Sequence, residues 1–242
     1  MDYAVEIASL SFQYPDGQKA LSGINLAVPV GQTVALIGPN GGGKSTLLLH
    51  LNGVLRSNGV VKVLGLPAEG KNLKWIRSKV GLVFQNPDDQ LFSPTVFEDV
   101  AFGPTNMGYF PEEIKQRVTR ALDWVGMSGY EHRSPHHLSI GEKKRIAIAT
   151  VLAMSPELLV IDEPTSNLDP RAKWSFIELL GGLPMTKIIA SHDLEMVQAL
   201  CERTIILDKG RIVADDLTQR ILTDIALLRA NGLAPDSHGG SL

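Results

Sequence analysis

The run Gly38-Pro39-Asn40-Gly41-Gly42-Gly43-Lys44-Ser45-Thr46 sets glycines ahead of a lysine and two hydroxyls, directly after the apolar stretch TVALI. Glycine is costly to order and offers nothing to pack, so this concentration calls for a chemical reason. Without Cβ atoms, successive backbone N–H groups can turn inward around an anion. A helix beginning at the lysine adds its positive N-terminal end. The spacing Gly38-x4-Gly43-Lys44-Ser45, with a strand before it and a helix after, fits a loop that wraps phosphates. Lys44 then meets the β- and γ-phosphates and Ser45 serves Mg²⁺, which makes ATP and Mg²⁺ the expected ligands.

A second acidic feature supports this chemistry. LLVIDEP ends a buried strand in Asp162 and Glu163. Adjacent side chains on extended backbone point to opposite sides, so one carboxylate can face a metal and the other the attacking water. Asp162 is expected to hold Mg²⁺, and Glu163 to act as general base or water-orienting group at the γ-phosphate. Further along, Ser139-x-x-Glu142 in HLSIGEKKRIAIA forms a capping box at a helix start. A capped helix start beside a glycine can also receive an anion. The basic run EKKR that follows reads as the exposed face of that helix, and the His132, His136 and His137 cluster as a solvated loop lacking metal-ligand spacing.

The elements that must position these residues follow from pattern. YAVEIASLSF reads as a strand, INLAVPVGQTVALIG as two strands around a turn at Pro29–Gly31, and KSTLLLHLNGVL as a helix stopping near Gly53. GVVKVLG and VGLVFQ read as strands flanking a short helix in NLKWIRSKV. The stretch NPDDQLFSPTVFEDVAFGPTNMGYF has no clean period. From Pro111 a helix is expected, with Ile114, Val118, Ala121, Leu122 and Val125 on one face. LLVID and KIIASHD read as buried strands, TIILDKGRIVADD as a hairpin around Lys209–Gly210, and Leu217 to Ala230 as one helix before a frayed tail. This order predicts an α/β core with a helical insertion.

Composition bounds the function. The chain has 242 residues, a formal net charge of −3, 44% apolar residues and one cysteine, Cys201. A nucleic-acid partner is not expected from that charge, nor a disulfide framework from a single cysteine. The N-terminus has no basic lead or signal-peptide pattern, and no window approaches the ~20 apolar residues of a membrane span. The chain is expected to be soluble in itself while docking onto a membrane partner.

In order and approximate spacing, GPNGGGKS, VFQN with Gln85, LSIGE, LLVIDEP, SNLD and SHD with His192 resemble the motifs of ATP-binding cassette (ABC) ATPase subunits, from about Tyr3 to Asp215. The resemblance implies a P-loop NTPase core with an antiparallel β subdomain and a helical subdomain. It implies an ATPase domain over residues 1–215, the helical part inserted at about 87–156, and a C-terminal helix and tail over 216–242. It also implies a head-to-tail dimer, in which Ser139 and Gly141 touch ATP bound across the interface. Tyr14 matches the aromatic that stacks on adenine. Gln85 matches the glutamine that senses Mg²⁺ and water, Asp169 the aspartate reaching the opposite P-loop, and His192 the γ-phosphate histidine. Two positions depart from the pattern: Ile140 stands where glycine is usual, and Glu142 where glutamine is commonest. Ile140 adds bulk near the nucleotide. Glu142 adds charge there unless the capping box takes it up.

FQNPDDQLFSPTVFEDVAFGPTNMG and GEKKRIAIATVLAM further resemble the ATPase of energy-coupling factor (ECF) transporters of the cobalt/nickel type. That resemblance implies two identical copies at the cytoplasmic face of the membrane. A transmembrane coupling subunit would dock near Asp88, Asp89 and Glu98 over an apolar floor of Phe92, Val96 and Phe97, with a substrate-binding membrane subunit engaged indirectly. An importer for another micronutrient, such as a vitamin, and a soluble mechanical ABC ATPase acting on nucleic acid or ribosomes are the alternatives.

Overall fold

A computed structural model describes residues 2–56 and 58–234. The tail expected to fray reaches beyond this range, so its last part, 235–242, lies outside the described residues.

Two sheets organise the chain. In the first, β1 (Tyr3–Gln13) pairs antiparallel with β2 (Lys19–Pro29) and with β4 (Asn58–Val63), and β4 carries the short β5 (Leu66–Pro67). In the second, β3 (Thr33–Ile37), β6 (Val80–Val83), β7 (Leu158–Asp162), β8 (Thr186–Ala190), β9 (Arg203–Asp208) and β10 (Arg211–Leu217) run in the order β10-β9-β3-β8-β7-β6. All neighbouring pairs in it are parallel except the edge pair β9–β10. The two strands expected around Pro29–Gly31 both exist, but they belong to different sheets.

Apolar alternation explains why β3 has to be central. Val34 and Leu36 face one core, with Val160 of β7, Ile188 of β8, residues of β1 and β2, and Leu47, Leu48 and Leu51 of α1 (Lys44–Leu51). Ala35 and Ile37 face the other core, with Ile161, Ile189 and the helices α5 (Ile140–Leu152), α6 (Pro170–Gly182) and α7 (Leu194–Leu200). Covered on both faces, β3 and β8 are buried at every position, as strands inside a parallel sheet are, and in β8 this includes Thr186 and Lys187.

Between β6 and β7 the chain leaves the sheet for α3 (Val96–Met107), α4 (Pro111–Trp124) and α5. α4 starts at Pro111 and buries Val118, Ala121 and Leu122, as its periodicity predicts. α3 has no counterpart in the sequence reading. Pro104 sits inside it, which removes a backbone donor and blurs the helical pattern. The capping box from Thr95 to Glu98 nonetheless fixes its start, and Gly108, in the left-handed conformation, its end. A short helix, α2 (Leu73–Lys79), precedes β6.

The expected single C-terminal helix is two, α8 (Thr218–Thr223) and α9 (Ile225–Ala230). Asp224 leaves helical geometry, and its side chain accepts from Leu227 N at 2.9 Å, restarting the helix as an N-cap.

Candidate functional site

Parallel pairing delivers the candidate residues to one edge. β3 runs into the glycine loop, β6 leads to Gln85, β7 ends in Asp162 followed by Glu163, and β8 leads through Ser191 to His192. The carboxyl ends of such strands are where open α/β sheets receive ligands. A cleft of about 540 Å³ opens there, lined by Tyr14, the whole loop from Gly38 to Thr46, Gln85, Asp162, Glu163 and His192. Gly232 and Leu233, just past α9, also border it; nothing local in the sequence signals that return. Ser139, Gly141 and Asp169 are not among its lining residues.

The loop's glycines have a second reason beyond the anion. A Cβ on Gly42 would stand 2.7 Å from Leu207 O and 3.0 Å from Pro39 O, and one on Gly38 would overlap the same Leu207 carbonyl. The loop is therefore laid directly on β9. Gly42 O also accepts from Gly210 N at 2.9 Å, so the β9–β10 turn clamps it from outside. Lys44, 8% exposed, donates to Gly38 O at 2.7 Å and Pro39 O at 3.0 Å. Burial lowers its pKa, while the Glu163 and Asp162 charges pull it back up. The ammonium is thus held on its own loop, beside the backbone donors a phosphate would meet.

The two strand-end carboxylates differ in surroundings. Burial raises the Asp162 pKa; a hydrogen bond from Ser45 opposes this, and the charge of Glu163 adds to it. Glu163 is 7% exposed and sits at φ 47°, a left-handed conformation unusual for a non-glycine residue. Its Oε2 lies 2.7 Å from His192 Nδ1 and also accepts from Ser191 Oγ at 3.4 Å and His192 N at 3.3 Å. Ser45 hydroxyl, Asp162 carboxylate and the Gln85 amide supply oxygen donors only, the set a hard cation such as Mg²⁺ takes. At the far end of the cleft, Tyr14 OH and Thr46 Oγ1 share a hydrogen bond of 3.0 Å, and Phe12 meets the Tyr14 ring edge-on.

Three parallel strand ends and a phosphate-shaped loop describe a nucleotide site, and comparison with known proteins decides its family. The ABC transporter family model matches residues 21–166. The chain belongs to the ABC transporter family. It is an ATPase whose hydrolysis is coupled to transport. An energy-coupling factor transporter ATP-binding protein EcfA of Methanothermobacter thermautotrophicus is 52% identical over 235 residues, covering 95% of this chain and 76% of the relative. Among solved structures, CbiO1 of Clostridium perfringens, part of the CbiONQ ABC transporter complex, aligns with a TM-score of 0.83 at 38% identity, covering 96% of each chain. A dimeric ATP-binding cassette in a post-hydrolysis state with ADP and Pi aligns with a TM-score of 0.80 at 27% identity, covering 88% of this chain and 98% of that one.

In this ABC ATPase the capping box at α5 is formed. Ser139 Oγ and N both donate to Glu142 Oε2 at 2.8 Å, and Tyr130 OH donates to Glu142 Oε1 at 2.8 Å. The Ser139 backbone and hydroxyl, then Tyr130, hold the Glu142 pKa below its ordinary range. The charge introduced by Glu142 is therefore taken up locally. Ile140 stays 36% exposed at the helix start. Asp169 caps α6, accepting from Arg171 N at 2.9 Å and Ala172 N at 3.0 Å, with Pro170 following.

The EKKR run is not an exposed face. Lys143 pairs with Asp88 at 2.7 Å, Arg145 donates to Val125 O at 2.8 Å, and Lys144 is 4% exposed. Burial lowers the Lys144 pKa to about 8 against the opposing pull of Glu163 and Asp162. Helical spacing carried this signal, since Lys144 shares a face with Ile148 and Val151.

Beside the cleft lies an apolar groove of about 1090 Å³, lined by Trp75, Phe84, Phe92, Phe102 and Met154 among others. Phe92 is 62% exposed and stacks edge-on with Phe102. The sequence reading put Val96 and Phe97 in this floor; instead Val96 is fully buried in the core and Phe97 packs against that core. Of the acidic residues named from sequence, Asp89 faces the groove. Asp88 is engaged by Lys143, and Glu98 by the Thr95 cap at 2.7 and 3.0 Å. No helix among the described residues is long and apolar enough to cross a membrane.

Proposed function

We propose that this ABC ATPase powers an ECF-type importer for cobalt or nickel ions, working as two identical head-to-tail copies against a transmembrane coupling subunit at the cytoplasmic membrane face. The observation that carries the docking part is the groove beside the Gln85 segment. Exposed aromatic surface on this scale marks a protein partner, and Asp89 at its edge suits a cationic coupling helix. The EcfA relative and the CbiO1 neighbour support the transporter type. The dimeric cassette supports the paired arrangement.

In this reading the phosphates lie on the loop from Gly38 to Thr46, and Lys44 turns from its own carbonyls to their charge. Tyr14 stacks on the adenine. Ser45, Asp162 and Gln85 would hold Mg²⁺, which would supply neutralising charge to the phosphates. Glu163 receives the proton of the attacking water, held in line by His192. Ser139, Gly141 and Asp169 of each copy complete the site of the other, so two nucleotides close the pair and hydrolysis reopens it. Chemistry here is mainly electrostatic positioning.

Co-purification from membranes tests the assignment. Wild-type chain should bring down a membrane coupling subunit, and vesicles holding that complex should accumulate cobalt or nickel on ATP addition. Phe92→Glu with Phe102→Glu should lose the membrane subunit while keeping nucleotide affinity. Accumulation of a vitamin would retain the transporter reading and replace the substrate. Retention on ribosomes or DNA without any membrane protein would overturn it.

A further inference from the structure

Lys144 projects from α5, the helix that starts at Ser139, onto the backbone of Gln85 and Glu163, two residues that line the nucleotide cleft. An ammonium has three N–H donors, and each finds an acceptor here: Glu163 O at 3.0 Å, Ser166 Oγ at 3.1 Å and Gln85 O at 3.3 Å. Ser166 Oγ in turn donates to Glu163 O at 2.9 Å. Burying a lone ammonium is expensive, and an apolar side chain of similar length would fill the space at less cost. The charge is therefore spent on fixing something.

What it fixes is backbone. Glu163 sits at φ 47°, a conformation that persists only where its surroundings over-determine it. Its N–H donates to Ala190 O at 2.8 Å, and its carbonyl is held by Lys144 and Ser166. The peptide groups on both sides of the Glu163 Cα are thus tethered, one to β8 and one to α5. The same ammonium holds the Gln85 carbonyl, at the start of the segment that leads to the groove.

We propose that Lys144 is the positioning residue that ties the Glu163 and Gln85 backbones to the helix carrying Ser139, so that ATP hydrolysis depends on how that helix is seated. The inference rests on the proposed reading in which Glu163 acts on the attacking water and Gln85 on Mg²⁺. It adds a route by which motion at the groove or at the partner copy reaches the catalytic carboxylate: the helix moves, and the strained turn at Glu163 moves with it. Lys144 itself touches no reacting atom.

The test compares Lys144→Met, which keeps length without charge, with Lys144→Arg, which keeps the cation. In the full chain, Lys144→Met should lower kcat for ATP hydrolysis by about 10- to 100-fold, the scale of a small misplacement of catalytic groups. Its Kd for Mg·ATP, measured without turnover, should stay within about threefold, because the phosphate loop is untouched. Lys144→Arg should recover part of the lost rate. If Lys144→Met does not fold, Lys144→Gln is measured in its place. Wild-type kcat in the charge-free variant overturns the proposal. So does a loss of rate and affinity in equal proportion, which marks general destabilisation. Glu163→Gln is run alongside: if it still hydrolyses ATP, the reading of Glu163 fails, whereas an inactive Glu163→Gln beside a fully active Lys144→Met sinks only the role of Lys144.

Discussion

His192 Nδ1 lies 2.7 Å from Glu163 Oε2, at the ends of two adjacent parallel strands. The histidine side chain is otherwise 66% exposed to the cleft, while the carboxylate beneath it is buried. The imidazole is thus held against the carboxylate, and both residues line the cleft.

Replacing either partner should separate binding from chemistry. Glu163→Gln and His192→Ala should each retain ATP affinity and lower turnover by about 100-fold or more, the general scale for a positioned acid–base group. Single-turnover assays of bound radiolabelled ATP measure this directly. Glu163→Gln should also accumulate as a closed dimer on size-exclusion chromatography with ATP.

Lys44→Ala should act one step earlier. The substitution removes the ammonium that sits on Gly38 O and Pro39 O, the charge that the proposed function gives to the phosphates. Nucleotide affinity should fall by about tenfold or more, equivalent to roughly 1.4 kcal/mol, as read by titration calorimetry. Unchanged affinity would remove Lys44 from the phosphate site.

Gly42→Ala tests the clamp behind the loop. The added methyl would stand 2.7 Å from Leu207 O and 3.0 Å from Pro39 O, both main-chain atoms with little room to retreat. Overpacking of this kind costs about 1–3 kcal/mol, and Tm should drop by roughly 2–4 °C per kcal/mol in a chain of this size. Weakened ATP binding should accompany the drop, since the loop must shift. A variant with native Tm and native affinity would show that the loop has slack on β9.

Acid should release a tie near His192. Asp193 accepts from Lys173 Nζ at 2.9 Å, Thr165 Oγ1 at 2.9 Å and Met196 N at 3.2 Å. Burial alone would raise its pKa, but Lys173, Thr165 and the Met196 N–H together hold it below the ordinary value. With the folded pKa depressed, the stabilisation is complete above the unfolded carboxylate value near 4 and is lost as pH falls through the lower folded one. Asp193→Asn should cost roughly 1.5–3 kcal/mol at pH 7, the range for charge-assisted hydrogen bonds. Thermal melts from pH 7 to pH 3 should show the wild-type and variant curves converging in acid.

Much of the site was legible because its signals are short. The glycine loop, the Asp162–Glu163 strand end and the Ser139 cap each lie within a few residues, and backbone geometry fixes what such a stretch can do. The α3 helix shows the limit. Its Thr95–Glu98 capping box was there to be read, yet Pro104 broke the pattern that would have announced a helix. Asp88 shows another limit: nothing near it in sequence reveals Lys143, which pairs with it from α5.

The sequence by itself determined that a strand, a glycine turn and a helix would follow one another with a lysine at the helix start, because φ preference, capping and apolar period are local properties of the chain. Only the tertiary structure decided which charges remain free for a partner and which are already spent. Lys144 holds the Glu163 main-chain carbonyl, Asp88 is taken by Lys143, and the groove is lined by Phe92 and Phe102 while Val96 is in the core. The reason is that burial and pairing are set by what packs opposite a residue, and here the opposing groups come from distant parts of the chain brought together by the sheet order.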